Sequence, residues 1–394
     1  MPGLRTALKE AAGVFLLSRL VIVLVSYVGV NLIPPSGHVT ASSCIASARP
    51  CLLTWYHWDA VAYVRIAYQG YSSTPDTAFF PFWPLLEHIV GFLLGGYFPD
   101  SYYFAGLLLA NICFYFVLIL FYRLLSEDFE PALAKRALFY LAFYPYAMFF
   151  FAGYTESLFL LLCLAIFLLL RRGRAYDWWL AGLLGFFAVL TRSSGIMLAV
   201  PFLVMYIQRF WIPRERNRSS WFPKLSALAP VLLIPAAVLI YMLYLGYTKG
   251  NPLIFISQEA TYTWHRHLSV PGIAFFPAIG TLFTQSLFTA TVMQNFLDIS
   301  FTLLPLIALA LNWKRIPLDY TLFAVALALF SLSFPQTVAE TLASQPRYMM
   351  SIFPIMVIFA FWGKRPTFDR WFLGVSLPLL ALNVILFISH YWVA

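Results

Sequence analysis

The chain has 394 residues, of which 62% are hydrophobic and only 10% charged, with a formal net charge of +9. Ordinary soluble domains are about 25% charged, which argues against a soluble enzyme, and the apolar runs are continuous where a β-barrel would alternate. In such a chain basic residues mark the cytoplasmic side of the membrane, so the positive charge does not indicate nucleic-acid binding.

In chain order, Arg5 and Lys9 precede an apolar run from Ala11 to Ile33. Ala46-Ser47-Ala48 resembles a cleavage site but lies far beyond that run, which is itself too long for a signal peptide. It is read as an uncleaved anchor helix. Runs approaching the roughly 20 residues that cross a bilayer follow, and spans are placed near 11–33, 103–123, 136–152, 156–170, 178–191, 194–210, 225–246, 293–312, 318–334, 347–362 and 371–390. The expectation is an all-α, polytopic transmembrane helix bundle of about eleven spans, forming a single integral-membrane domain over 1–394. The segment 79–98 holds Pro81, Pro84, Glu87, His88 and Gly95-Gly96, which suits an amphipathic helix lying in the interface better than a span.

Charge decides between those two states of 79–98. With eleven spans and a cytoplasmic N-terminus, Arg5, Lys9, Arg123, Lys135, Arg136, Arg171, Arg172, Arg174, Arg209, Arg214, Arg216, Arg218, Lys224, Lys314, Arg315, Lys364, Arg365 and Arg370 all lie inside. A twelfth span at 79–98 would move all but the first two outside, against the positive-inside rule. The sequon Asn217-Arg218-Ser219 then falls on the inner side and is predicted to be unused. Arg19, within the first span, is expected to snorkel. The outer side receives a loop over about 34–102, a second over about 247–292 and a third over 335–346. Cys113 and Cys163 sit in apolar runs as small buried hydrophobes. Cys44 and Cys51 share the first outer loop and could pair if it faces an oxidising compartment.

The outer loops carry the candidate chemistry. Trp55 to Tyr71 is expected as an interfacial helix, with Trp55, Asp59, Ala62 and Ile66 on one face, Trp58, Tyr63 and Tyr68 at headgroup level, and Gly70 as a stop signal. Asp59 would lie in the first turns, where the helix dipole favours its ionised form. Such a carboxylate can act as a general base, or can cap the helix or pair with Arg65. Glu156, in Gly153-Tyr154-Thr155-Glu156-Ser157, either orients an acceptor sugar or belongs to a capping box around Thr155. Arg192 and Arg347 stand at outer membrane edges, where guanidinium groups suit phosphate; contact with bulk lipid headgroups is the alternative. Lys249, and Arg266 beside Trp264 and His265, complete the outer set that could meet phosphate or sugar. There is no P-loop, Rossmann glycine motif, His-Glu-x-x-His or Gly-x-Ser-x-Gly, and no metal-ligand cluster.

Taken in order, Trp58-Asp59-Ala60, Gly70-Tyr71, Phe79-Phe80-Pro81, Tyr144-Pro145, Tyr154-Thr155-Glu156-Ser157, Leu190-Thr191-Arg192 with Gly195, Gly250-Asn251-Pro252 and Gln345-Pro346-Arg347-Tyr348 resemble the PIG-V family, the GPI mannosyltransferase 2 type of GT-C membrane glycosyltransferases. Where that family often has Gly-Asp-Pro this chain has Asn251, so no acid role carries over there. The short loops fit a prokaryotic relative, in which a GPI intermediate would not be the acceptor. The resemblance implies a GT-C fold and an inverting, lipid-phosphate-sugar-dependent hexosyltransferase. Mannose would move from a polyprenyl- or dolichyl-phosphate carrier to a glycan or glycolipid hydroxyl on the extracytoplasmic side.

On that basis Asp59 is the expected catalytic residue. Glu156, Trp58, Trp264 and His265 are expected at the acceptor and sugar, and Arg347, Arg192, Arg65, Lys249 and Arg266 at the lipid phosphate. No metal or cofactor is required, the partners are the donor, the acceptor, membrane lipids and conceivably a small membrane subunit, and the membrane is the cell membrane of a prokaryote or the endoplasmic reticulum of a eukaryote. A flippase for polyprenyl-linked glycans and a non-catalytic subunit of a glycosyltransferase complex stay open as alternatives. The flippase would more often show internal repeats and broken helices at the midplane.

Overall fold

A computed structural model describes residues 3–32, 53–211, 226–260, 264–286, 289–337 and 340–393. Cys44, Cys51 and the Asn217 sequon lie outside the described residues. In chain order the helices are α1 (Leu4–Leu32), α2 (Asp59–Gln69), α3 (Phe82–Leu93), α4 (Asp100–Asp128), α5 (Pro131–Ala142), α6 (Glu156–Arg172), α7 (Ala175–Thr191), α8 (Ala199–Phe210), α9 (Leu233–Lys249), α10 (Ile254–Ala260), α11 (Phe275–Thr284), α12 (Ala290–Asn312), α13 (Leu318–Leu332), α14 (Gln345–Ser351), α15 (Phe353–Trp362) and α16 (Pro366–Ile388). Among the described residues the fold is all-α, with an isolated antiparallel bridge between Arg266 and Gln336.

Among the described residues, six helical stretches are long and apolar enough to cross a membrane: Leu4–Leu32, Asp100–Asp128, Ser193–Phe210, Ser226–Lys249, Ala290–Arg315 and Pro366–Ile388. Shorter apolar helices accompany them, including α7, α13 and α15. On α1 the side chains of Leu16, Leu20 and Leu24 are exposed while Ala11, Ser18 and Ile22 are buried, so one apolar face is left for lipid and a small-residue face packs inward. The twelve residues of α3 extend about 18 Å, short of the roughly 30 Å hydrocarbon core.

The chain folds as two compact units. The first comprises Met1–Gly70, Pro84–Leu161 and Phe359–Ala394, and the second Tyr71–Trp83 and Leu162–Ile358. The first outer loop is therefore not one structural piece, because Tyr71–Trp83 folds with the second unit. Two tyrosine hydroxyls hold it there: Tyr71 donates to the Phe79 carbonyl at 2.7 Å, and Tyr241 of α9 donates to the Thr77 carbonyl at 2.8 Å.

The centre of the first unit is a break in a span. Pro145 cannot donate an amide hydrogen, and the backbone expected as a helix over 136–152 leaves α5 at Ala142 and continues as a 3-10 turn at Ala147–Phe150. Carbonyls freed in a membrane must find donors, and side chains of neighbouring helices supply them. Asn383 of α16 donates to Pro145 at 2.9 Å, Asn111 of α4 to Phe151 at 3.1 Å, and Arg19 of α1 to Phe150 at 3.2 Å. Arg19 thus does not snorkel. It is buried, with its guanidinium 4.3 Å from the centre of the Phe114 ring, where the aromatic quadrupole stabilises a desolvated cation. This side-chain scaffold fixes the turn that leads into Tyr154, Thr155 and Glu156.

In the second unit α7 packs on α9, and the 3-10 turn Ser193–Leu198 folds back onto α7. Gly195 makes that return possible: a Cβ there would come within 2.6 Å of the Ala188 carbonyl carbon and the Val189 nitrogen. The turn holds Arg192 at the end of α7.

Candidate active site

Asp59 opens α2 and Gly70 ends it, donating its N–H to the Ile66 carbonyl. The helix is shorter at its N-terminus than expected. Trp58 adopts φ 54° and ψ −121°, a positive-φ conformation that does not continue a helix, so Trp55 is not on the Asp59 face. It is buried instead, with ring contacts to Phe151 and Phe387. Asp59, half-buried, takes the first helical position, where the dipole favours an anion. Tyr63 is buried facing Tyr154, whereas Tyr68 is exposed and stacks on Phe98.

The residues before Asp59 are held by the C-terminus of the chain. The His57 and His390 rings lie 3.7 Å apart, and the indoles of Trp58 and Trp392 meet edge to face at 5.0 Å. Tyr154 donates its hydroxyl hydrogen to the His57 carbonyl at 3.2 Å, joining the segment before Asp59 to the one before Glu156. Burial, with the neighbouring His390, pushes the His57 pKa down to about 4, so His57 is neutral at pH 7.

Glu156 begins α6 and is fully buried. The capping box considered for it does not form, since the Thr155 hydroxyl has no hydrogen-bond partner. Glu87 of α3 is a second buried acid in this unit that sequence reasoning passed over. Its carboxylate lies against Gly106 of α4, where a Cβ would collide with it. Burial, then the Glu87 charge, pushes the Tyr56 phenol above its ordinary range, while Arg65 pulls it back. Tyr56 is thus in electrostatic reach of both, and Asp59, Arg65, Glu87 and Glu156 all belong to one unit. An acid within an otherwise apolar α3 was the available signal for Glu87.

The second unit gathers three of the predicted phosphate ligands around one ring. The guanidinium carbons of Arg192, Arg266 and Arg347 lie 4.9, 5.4 and 5.9 Å from the centre of the Tyr348 ring. Arg266 also donates to the Tyr348 hydroxyl at 2.6 Å and to the Ala343 carbonyl at 3.4 Å, and Arg347 is only 5% exposed. Three guanidinium groups gathered around one ring make a local concentration of positive charge, a setting suited to an anion. Tyr348 was visible in the sequence only as the neighbour of Arg347.

The remaining candidates are spread out. Trp264 meets Phe79 edge to face, and the His265 carbonyl accepts from the Thr337 amide and hydroxyl, so the backbone of His265 fixes the loop. Lys249 ends α9. The adjoining Asn251 accepts the Leu253 amide through its side chain at 3.0 Å, a turn-forming role that needs no acid. Trp58 and Arg65 are in the first unit with Asp59, and Lys249, Trp264 and His265 in the second.

The family described as Mannosyltransferase (PIG-V) matches residues 14–252. That stretch contains Asp59, Arg65, Glu156, Arg192 and Lys249 and ends before the segment carrying Tyr348. The GPI mannosyltransferase 2 of Schizosaccharomyces pombe is 27% identical over 236 residues, covering 54% of this chain and 48% of its own length. The chain thus spans about half the length of that curated relative. Among solved structures, the Archaeoglobus fulgidus oligosaccharyltransferase tethered with an acceptor peptide aligns with TM-score 0.46 and 14% identity, over 97% of this chain and 55% of that one. Its apo form aligns at 0.45 and 13%, over 97% and 56%. With the family match extending over more than half of its residues, the chain belongs to the PIG-V mannosyltransferase family.

Proposed function

We propose that the chain transfers mannose from a polyprenyl- or dolichyl-phosphate carrier to a glycan or glycolipid hydroxyl, with inversion, on the extracytoplasmic side of the membrane. The observation that carries this is the convergence of Arg192, Arg266 and Arg347 on Tyr348, within a chain of mannosyltransferase family. As the anomeric C–O bond breaks, the departing lipid phosphate keeps the electron pair and gains negative charge. Preorganised cations aimed at a developing anion are usually the largest catalytic contribution. The acceptor oxygen forms the new bond to the anomeric carbon, and its proton passes to Asp59, a step typically worth roughly 10²–10⁴ in rate. Glu156 orients the acceptor, and Arg65 and Lys249 add to the positive field. The outer placement of these residues rests on the distribution of Lys and Arg along the sequence.

The test is mannose transfer by the purified chain in proteoliposomes, with a polyprenyl-phosphate mannose donor. Asp59→Asn is expected to lower turnover by at least 10²-fold with donor binding retained, and Arg347→Ala to weaken use of the donor. Wild-type turnover in Asp59→Asn removes Asp59 as the base. Activity of the chain alone also distinguishes an enzyme from a non-catalytic subunit.

A further inference from the structure

Helix α12, a candidate membrane span, carries a buried polar face. Asn295, Asp298 and Thr302 follow at i, i+3 and i+7, which places them on one side, and each is at most 1% exposed. They lie about 8–18 Å from the start of the helix. The neighbouring Ile299 and Leu306 belong to an apolar cluster with Ala278 of α11. Helix α14 also packs on α12, and it contributes the buried side chains of Gln345 and Ser351.

The oxygens of this set have no hydrogen-bond partners. Asn295 Oδ1, Asp298 Oδ2, Thr302 Oγ1, Gln345 Oε1 and Ser351 Oγ are all buried and unpartnered. The amide orientations are fixed by their nitrogens, because Asn295 Nδ2 donates to the Thr291 carbonyl and Gln345 Nε2 to the Ser331 carbonyl. What remains are acceptors, and a buried acceptor left without a donor is destabilising. Ionisable and polar side chains at membrane depth mark ligand pathways. Glu340 lies within electrostatic reach of Asp298, yet no three His, Cys, Asp or Glu among the described residues are grouped to hold a metal ion. The complement to such a face is a neutral ligand with several O–H donors. Gln345 stands one turn from Tyr348 on α14, the helix that also carries Arg347 of the arginine cluster.

We propose that Asn295, Asp298 and Thr302 of α12, with Gln345 of α14, bind a hexose ring through its hydroxyl hydrogens, and that this is where the sugar of the lipid-phosphate donor is held. The second half of this inference rests on the donor assignment above; the first does not. Asp298 accepts from one or two hydroxyls, Asn295 and Gln345 from one each, and Thr302 both accepts and donates.

Two measurements test it on the full-length chain in nanodiscs without acceptor. Saturation-transfer NMR with methyl α-D-mannopyranoside reads sugar binding alone. A signal is expected with the wild type and with Asp59→Asn, and its loss with Asp298→Asn and with the near-isosteric Thr302→Val. Binding of a short-chain polyprenyl-phosphate mannose is expected to weaken about tenfold or more in the same two variants, while that of the polyprenyl phosphate without sugar is unchanged. Equal weakening with both lipids, a mannoside signal indifferent to both substitutions, or Mg²⁺ or Mn²⁺ binding that disappears in Asp298→Asn while the mannoside signal persists would each overturn the proposal. If the mannoside signal depends on Asp298 but no lipid-phosphate mannose binds, the hexose site stands and the donor assignment fails.

Discussion

Titration of His57 gives a prediction whose sign and size follow from the structure. The ring is 7% exposed and lies tilted against His390, and its Nε2 has no hydrogen-bond partner. Its pKa falls from an ordinary 6.5 to about 4, through burial first and the second histidine next. Between those values the unfolded chain holds a proton that the folded chain does not, so stability rises with pH in this window. It is therefore lost progressively as pH falls from 6.5 towards 4 and is flat above 6.5. At 1.36 kcal/mol per unit the ceiling is about 3 kcal/mol, on the order of 100-fold in the folded-to-unfolded ratio. The assay is unfolding of the purified protein in detergent, followed by fluorescence of its 12 tryptophans, at pH 7.5, 6.5, 5.5 and 4.5. The slope of stability against pH in the wild type is compared with that in His57→Phe, which keeps a ring against His390 and removes the titrating nitrogens. Comparing slopes cancels the fixed cost of the substitution. A wild-type slope that matches the variant's between pH 6.5 and 4.5 refutes the reasoning. Because this histidine pair secures the segment before Asp59, the proposed mannose transfer is expected to fall over the same interval.

Other substitutions follow from single contacts. Tyr348→Phe keeps the ring beside Arg192 but removes the acceptor of the 2.6 Å bond from Arg266; a hydrogen bond to a charged group is worth about 1.5–3 kcal/mol, so kcat/KM for the proposed lipid donor should fall at least tenfold, and an unchanged value removes this bond from the proposed site. Gly195→Ala places a Cβ against the α7 backbone, so a stability loss of about 1–3 kcal/mol should appear in chemical unfolding; an unchanged midpoint would show that the close approach is not needed. Asn383→Leu leaves the Pro145 carbonyl without its donor, with an expected cost of about 1–3 kcal/mol, measurable as a lower midpoint in thermal unfolding.

Much of the architecture is local and was legible. Apolar runs and the scarcity of charge depend on no distant partner, and the stop at Gly70 and the N-terminal placement of Asp59 on its helix are signals within a few residues. The helix start was misjudged because the positive-φ Trp58 is stabilised by Trp392, far along the chain. Arg19 was assigned to the interface by its place near a helix end, whereas its partner is a carbonyl 131 residues away. Glu156 and Thr155 matched a capping pattern, yet the hydroxyl is unpartnered in the fold.

The sequence by itself determined the membrane class, the all-helical character, the family motifs and the candidate acid and arginines, since each is written in composition or in short spacing. Only the tertiary structure decided which of them meet. Arg266 and Tyr348 are 82 residues apart, and Asn383 and Pro145 are separated by 238. It also decided that Tyr71–Trp83 folds with the second unit, that Glu87 is a buried acid, and that α12 buries three polar side chains with unpartnered oxygens. In an apolar environment every polar group must find a partner or a ligand, and that partner is chosen by the packing of helices, which no local pattern encodes.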